Sequence, residues 1–327
     1  MTGAELRRRR AAAQLLAATD GTPHGAVTHL LAVQAQDPRA MRLALRARGA
    51  ASRAAGVEAA FADRSLVVTW LFRGTLHLVA REDYAWLHAC CGAQTAATTR
   101  RRLGGLGVDA DATERAVAAI ERALARDGPL ARAELAERMR AAGVPAEGQA
   151  VPHLLAVAAA RGIVVLAGDA FVLASDWLGP VAAGPSGDAA LAELARRYLR
   201  GHGPATAADL AAWSGVGLRA ARTGLAAIAD GLDVDGDLAD LAGRPPAPPS
   251  PARLLPAFDP YLLGWKDRSF AVPGPLARQV HPGGGIVRAT AVMDGRAVAT
   301  WGLRGGRVSL DPAAEGFADE VAAVERF

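Results

Sequence analysis

Gly128-Pro129-Leu130-Ala131-Arg132-Ala133-Glu134-Leu135-Ala136 returns 75 residues later as Gly203-Pro204-Ala205-Thr206-Ala207-Ala208-Asp209-Leu210-Ala211. Each copy follows an amphipathic stretch of helical period, at 113–126 and 188–200. In each, the Gly-Pro pair ends that helix before a short Ala/Leu helix begins. The continuations match as well. Gly143-Val144-Pro145 turns the first copy into a helix at 149–161, and Ser214-Gly215-Val216 turns the second into one at 218–230. Short β-rich runs then flank Gly168-Asp169 and, more weakly, Asp235-Gly236. Helix, short helix, turn, helix and hairpin is the order of a winged helix-turn-helix, in which the turn glycines permit a tight interhelical angle. Self-similarity at such a period predicts a tandem array.

The same order is legible toward the N-terminus. Helical stretches at 26–33, 39–48 and 57–64 precede β-rich runs at 66–71 and 75–79 across Phe72-Arg73-Gly74. Acidic Glu82-Asp83 then suits the start of a helix over 81–102. Toward the C-terminus, Gly243-Arg244-Pro245-Pro246-Ala247-Pro248-Pro249-Ser250-Pro251 is a stiff polyproline-type linker, and beyond it the period becomes alternating. Runs at 286–293, 296–302 and 307–310, separated by Asp294-Gly295 and Gly305-Gly306, predict a three-stranded meander closed by a helix at 315–326. The expected fold is therefore mainly α with small β hairpins. Three tandem winged helix-turn-helix units occupy 1–105, 106–183 and 184–242, and the linker and a C-terminal β-barrel-like domain occupy 243–327.

Composition narrows the function classes. With 327 residues and 51% hydrophobic content the chain can bury a sizeable core. Its longest apolar runs, such as 154–160, fall well short of the roughly 20 residues of a membrane span. Arg7, Arg8, Arg9 and Arg10 precede an Ala/Leu stretch that Gln14 and Asp20 interrupt, which reads as a first helix and not as a signal peptide; a cytoplasmic, nucleoid-associated protein is expected. Adjacent Cys90 and Cys91 make neither a disulfide framework nor a zinc site, and none of the seven histidines forms an HExxH pair, so no metal and no cofactor are expected. A net charge of +4 and a pI near 9.6 lean toward a polyanionic partner. That signal is discounted because every basic residue but Lys266 is arginine, as a GC-rich genome would produce. No phosphate loop, dinucleotide fingerprint or GxSxG elbow is present. The recognition-helix candidates carry few base-reading side chains (Gln149, Arg161, Arg219, Arg222), which favours contact to phosphates over sequence readout.

Three segments carry a resemblance. Leu31-Ala32-Val33-Gln34-Ala35-Gln36-Asp37-Pro38-Arg39-Ala40, Phe72-Arg73-Gly74-Thr75-Leu76-His77-Leu78-Val79, and the run from Leu254 to Arg268 containing Phe258-Asp259-Pro260-Tyr261 and Gly264-Trp265-Lys266-Asp267 are similar, in this order, to the AlkZ-like DNA glycosylases. The resemblance implies three winged helices and a C-terminal β-barrel around a basic concavity for double-stranded DNA. It also implies a Gln-apolar-Gln or Gln-apolar-Asp catalytic motif, matched here by Gln34-Ala35-Gln36, and excision of N-alkylated purines, with crosslink unhooking in some members. A regulator or resistance factor that binds DNA without catalysis is the other reading. It would call for a dimerisation element and a ligand domain, and neither is evident; a monomer without an obligate protein partner is expected.

A carboxamide suits a labile cationic lesion. Its oxygen accepts from water while its NH2 anchors to phosphate or sugar, and it cannot act as a general base. Gln34 and Gln36 are thus the catalytic candidates. Asp37 is either a rival base or, directly before Pro38, a helix N-cap. Arg39 is a DNA-binding candidate. Arg73 and Thr75 either grip a phosphate or simply build the hairpin turn. His77 shares a strand face with Thr75 and joins them as a candidate contact, or is a satisfied structural group. Asp259, Tyr261, Trp265, Lys266, Asp267 and Arg268 form a dense aromatic and charged cluster, either a stacking and phosphate surface, with Lys266 and Arg268 as its contacts, or a salt-bridged seam. Lys266 is the only side-chain amine that could form a Schiff base, so hydrolysis without a lyase step is expected.

Overall fold

A computed structural model describes residues 1–17, 20–50 and 54–327. The chain divides into two compact units, Phe61–Ala190 and Met1–Ala60 together with Leu191–Phe327.

In the unit Phe61–Ala190, the first copy of the repeat unfolds as the sequence order requires. Helix Ala110–Asp127 ends at Gly128 with φ 79°, Arg132–Ala141 and Ala150–Ala160 follow, and strands Val164–Ala167 and Ala170–Leu173 pair with Leu166 opposite Phe171. Ala150–Ala160 packs against the 22-residue helix Tyr84–Gly105, with His88 Nε2–H donating to Ala159 O at 3.0 Å. The hairpin Leu66–Trp70/Leu76–Ala80 is not a solvated wing. All ten of its residues are buried, and Val68 pairs with Leu166, which joins the two hairpins into one antiparallel sheet. Both faces of this hairpin are apolar (Leu66, Val67, Val68, Leu76, Leu78, Val79), so water on either side would be costly.

In the other unit, the second copy gives helices Gly187–His202, Ala207–Ser214 and Leu218–Ala226, then the hairpin Leu232–Asp235/Leu238–Leu241. Thr206 and Asp209 form a reciprocal capping box at the start of Ala207–Ser214. N-terminal helices Gly3–Ala13, Pro23–Leu30 and Pro38–Arg46 belong to the same unit.

The expected C-terminal barrel is not formed. Arg307–Asp311, Arg296–Arg304, Thr290–Met293 and Arg253–Leu255 make an open four-stranded antiparallel sheet in that order, and no sheet among the described residues closes on itself. The chain is mainly α-helical with several small antiparallel sheets. The meander and its two turns lie where the alternation puts them, but the edges never meet. Helix Ala318–Arg326 satisfies them instead: Leu254 N–H donates to Glu320 Oε2 and Val308 N–H to Glu325 Oε1, each at 2.9 Å. Edge donors on both outer strands are thus capped by carboxylates, which stands in for closure as a way of blunting a sheet edge. Beneath lies a core of Leu43, Leu254, Ala291, Ala299, Phe317 and Val324.

Candidate functional site

Helix Pro23–Leu30, capped by Thr22, stops at Leu31, whose φ of 69° is rare for a branched side chain. Leu30 and Leu31 are both fully buried, and this packing holds the turn against its strain. The chain then runs extended. Val33 and Ala35 are buried, while Gln34 is half-buried and Gln36 exposed. A period of two places both amides on the face opposite the buried pair, which is why the intervening residue must be apolar. Gln34 Nε2 donates to Gln36 Oε1 at 3.0 Å. Gln34 Oε1 is enclosed and receives no hydrogen bond. The amide pair therefore presents one unspent buried acceptor beside the exposed NH2 of Gln36.

Asp37 ends the extended segment. Its Oδ1 accepts the N–H groups of Arg39 (2.9 Å) and Ala40 (3.0 Å), and Pro38 takes the first position of helix Pro38–Arg46. Of the two readings of Asp37, the N-cap is the one its geometry makes. Arg39 is exposed in the first turn of that helix, so the structure brings Gln34, Gln36, Asp37 and Arg39 together. A cleft of about 190 Å³ opens beside them, lined by Asp37, Arg39, Leu43, Pro256, Trp301 and Leu303 among others. Nothing in the local sequence marked Trp301 or Leu303, because they arrive on strand Arg296–Arg304 from the far end of the chain.

The remaining candidates have surroundings of their own. Arg73 is exposed at the hairpin turn with φ 57°, and the Thr75 hydroxyl donates to Phe72 O at 3.1 Å and so closes that turn. His77 is 2% exposed, donates Nδ1–H to Thr75 O at 2.9 Å and meets Phe72 edge-on at 5.3 Å. Its ring is withdrawn from the surface, and the expectation that it approaches nucleic acid is corrected: Thr69 faces it across a hairpin buried on both sides. Lys266 is exposed, with its backbone N–H held by Asp209 Oδ1 at 2.9 Å, and Arg268 is half-buried, its guanidinium pushed down by burial. The aromatic members of that cluster are no stacking platform. Tyr261 and Trp265 are 1% and 2% exposed, and Asp259 forms a fully buried bidentate pair with Arg48 at 2.8 and 2.9 Å. Arg10 lies over the rings of Trp265 and Phe270 at 4.9 and 4.4 Å, which completes a structural seam.

A second, larger cleft of about 540 Å³ is basic. Arg9, His29, Arg200 and Arg244 line it together with the linker prolines. His29 donates Nε2–H to Ala13 O at 2.8 Å; burial, and then the nearby Arg200, Arg244 and Arg197, push its pKa down to about 4. Burial, and then Arg73, push His77 down to about 3. Both histidines are thus neutral when folded and bind protons near pH 6.5 when unfolded. Their contribution to stability is complete above that value and is lost as pH falls toward about 4 and then about 3. The thermal midpoint is expected to fall as the buffer is lowered from about 6.5 to about 4, with His29→Gln flattening the upper part of the curve; calorimetry at a pH series measures it, and an unchanged midpoint across that window would contradict the burial of both rings.

Among the described residues, no group of three or more His, Cys, Asp or Glu is placed to hold a metal ion, and no helix is long and apolar enough to cross a membrane.

A family model described as "DNA glycosylase AlkZ-like" matches residues 27–327. Among solved structures, the Streptomyces sahachiroi DNA glycosylase AlkZ is similar over 100% of this chain and 96% of its own, with a TM-score of 0.82 at 24% sequence identity, a likeness of fold. No curated protein matches.

Proposed function

The chain belongs to the AlkZ-like family of tandem winged-helix DNA-binding proteins, and from that premise we propose that it is a monofunctional DNA glycosylase for N-alkylated, cationic purines. Membership supports a DNA-repair, glycosylase-type activity in general terms. The finer reading rests on one observation: two neutral amides share one face of an extended segment, are bonded to each other, and leave Gln34 Oε1 as an enclosed acceptor.

Alkylation of a purine ring nitrogen puts positive charge on the base and makes it a good leaving group. As the C1′–N bond breaks, its electron pair returns to the base, which departs neutral. Water forms the new C1′–O bond and its proton passes to solvent. Such a reaction needs the water positioned and the sugar cation stabilised, more than it needs a base. Gln34 Oε1, enclosed and unpartnered in the free chain, becomes the acceptor for one hydrogen of a water admitted as the site opens around the lesion, and the Gln36 amide holds Gln34 in that orientation. Asp37 Oδ1 is held by two backbone N–H groups of the helix cap, and a cationic leaving group needs no strong base. The basic cleft of Arg9, Arg200 and Arg244 supports phosphate contact with duplex DNA, and purines crosslinked between strands are a bulkier class of the same substrate.

Incubating the protein with duplex containing N7-methylguanine, or a purine crosslink, and assaying heat- and alkali-labile abasic sites tests the reading. Base release is expected, with no borohydride-trapped complex, since hydrolysis forms no Schiff base with Lys266. Absence of release from every alkylated duplex would leave a DNA-binding protein without catalysis. A trapped complex would make the chemistry that of a lyase.

A further inference from the structure

The cleft beside the amide pair has a chemical character of its own. Its lining is mixed: Leu43, Pro256, Trp301 and Leu303 supply apolar surface, and Asp37 and Arg39 supply charge. At about 190 Å³ it is smaller than the roughly 300–1,000 Å³ that a drug-sized ligand occupies and suits a single heterocycle. Trp301 is fixed from two directions. Its strand is paired with Leu310 opposite and its backbone N–H donates to Ala289 O at 3.0 Å, while the indole Nε1–H donates to Leu255 O at 2.7 Å. With the indole donor spent, what Trp301 offers a ligand is π surface, whose negative quadrupole attracts a cation. Asp37 spends only Oδ1 on the helix cap, which leaves Oδ2, on an exposed residue, as a negative charge at the rim. Arg39 is the one positive group lining the cleft, and it would repel a bare cation.

We propose that this cleft binds the cationic base of an N-alkylated purine nucleotide, with Trp301 as its face, Asp37 as its counter-charge and Arg39 on the adjoining phosphate. The assignment deepens the glycosylase reading and rests on it for the origin of the base. It makes Trp301 and Asp37 specificity-determining residues, selecting charge where an apolar slot alone would select shape. Asp37, which lines the cleft, directly follows Gln36 in the chain. The three contacts together call for a zwitterion, positive on the ring and negative on the phosphate, in preference to a neutral nucleotide or a free cationic nucleoside.

The probes are N7-methylguanosine 5′-monophosphate, guanosine 5′-monophosphate and N7-methylguanosine, titrated into the full chain by calorimetry at mildly acidic pH, where the methylated base is fully charged. The methylated nucleotide is expected to bind about tenfold more tightly than the unmethylated one. Trp301→Phe should shrink that ratio to about threefold, since a phenyl ring is the weaker cation acceptor. Asp37→Asn keeps a good helix cap and should likewise reduce the ratio, while Arg39→Ala should bring methylated nucleotide and methylated nucleoside to equal affinity. Melting curves accompany each variant, and the Asn and Phe variants keep the test decisive without deleting a packed side chain. Equal binding of methylated and unmethylated nucleotide by the native chain, or a preference that survives both Trp301→Phe and Asp37→Asn unchanged, overturns the proposal. A methyl preference with no release of base from alkylated duplex would keep the cleft and sink the glycosylase; release without the preference would do the reverse.

Discussion

Asp259→Ala is expected to destabilise the chain by about 3–5 kcal/mol, the range for stripping one partner from a buried ion pair. Arg48 and Asp259 are both fully enclosed, and their two parallel bonds are the strong fork-to-fork type. Arg48 also donates to Gln14 Oε1 and Ala44 O, each at 2.8 Å, and Gln14 Nε2 donates to Gly201 O at 2.6 Å. One guanidinium thus ties the first helix, helix Pro38–Arg46, the end of helix Gly187–His202 and the turn at Asp259 into one polar knot. Without the carboxylate, a positive charge remains in a site with no water to solvate it, and the Tyr261 N–H loses its acceptor as well. Asp259→Asn separates these losses, because it can keep the cap on Tyr261 while removing the charge and turning the Oδ2 acceptor of Arg48 into a donor. Replacing both partners by apolar residues, Arg48→Met with Asp259→Leu, should cost less than either single change. Chemical denaturation of the native chain and of each variant measures these costs. A double variant no more stable than Asp259→Ala would mean that the knot is held by packing and not by the need to neutralise a charge.

The same residues show what a sequence can and cannot reveal. Asp259 stood in a visible cluster, but its partner Arg48 lies some two hundred positions away, and period and composition carry no information about such a pairing. The helices and turns of the repeat were legible because their determinants are local: Gly-Pro ends a helix, Thr206 and Asp209 cap the next, and glycine takes the positive φ at Gly128 and Gly215. The cap by Asp37 was legible for the same reason. The barrel was not a local question. Both turns of the meander formed, but whether its edges closed depended on Glu320 and Glu325 reaching them from the last helix. His77 misled because alternation assigns a strand residue to a face without saying what covers that face, and here both faces are covered. Gln34 and Gln36 were visible as two amides two apart, but the extended backbone that sets them on one face was not; nor was Trp301, delivered by a distant strand.

Gln34→Ala is expected to lower single-turnover base release by about 100-fold or more, the scale seen when a group that positions a reactant or stabilises developing charge is removed. Gln36→Ala should cost less, because Gln36 is exposed and acts on Gln34 by holding its NH2, whereas Gln34 carries the enclosed acceptor. Since each amide works through the other, the double variant should be scarcely slower than Gln34→Ala alone. Gln34→Glu is the sharper probe. It keeps the size and the acceptor, but in place of the donor it sets a carboxylate against Gln36 Oε1, so the segment loses its internal bond and release should again fall. None of these changes removes a packed apolar group, so melting temperatures and affinity for duplex should stay near those of the native chain. Rates come from single turnovers on N7-methylguanine duplex, which separates chemistry from product release. Native-like release by both alanine variants would sink the water-positioning role while leaving the enzyme standing. A loss confined to duplex affinity would move the amides from the reacting bond to the phosphate backbone. Only a slowed chemical step at unchanged binding puts Gln34 beside C1′.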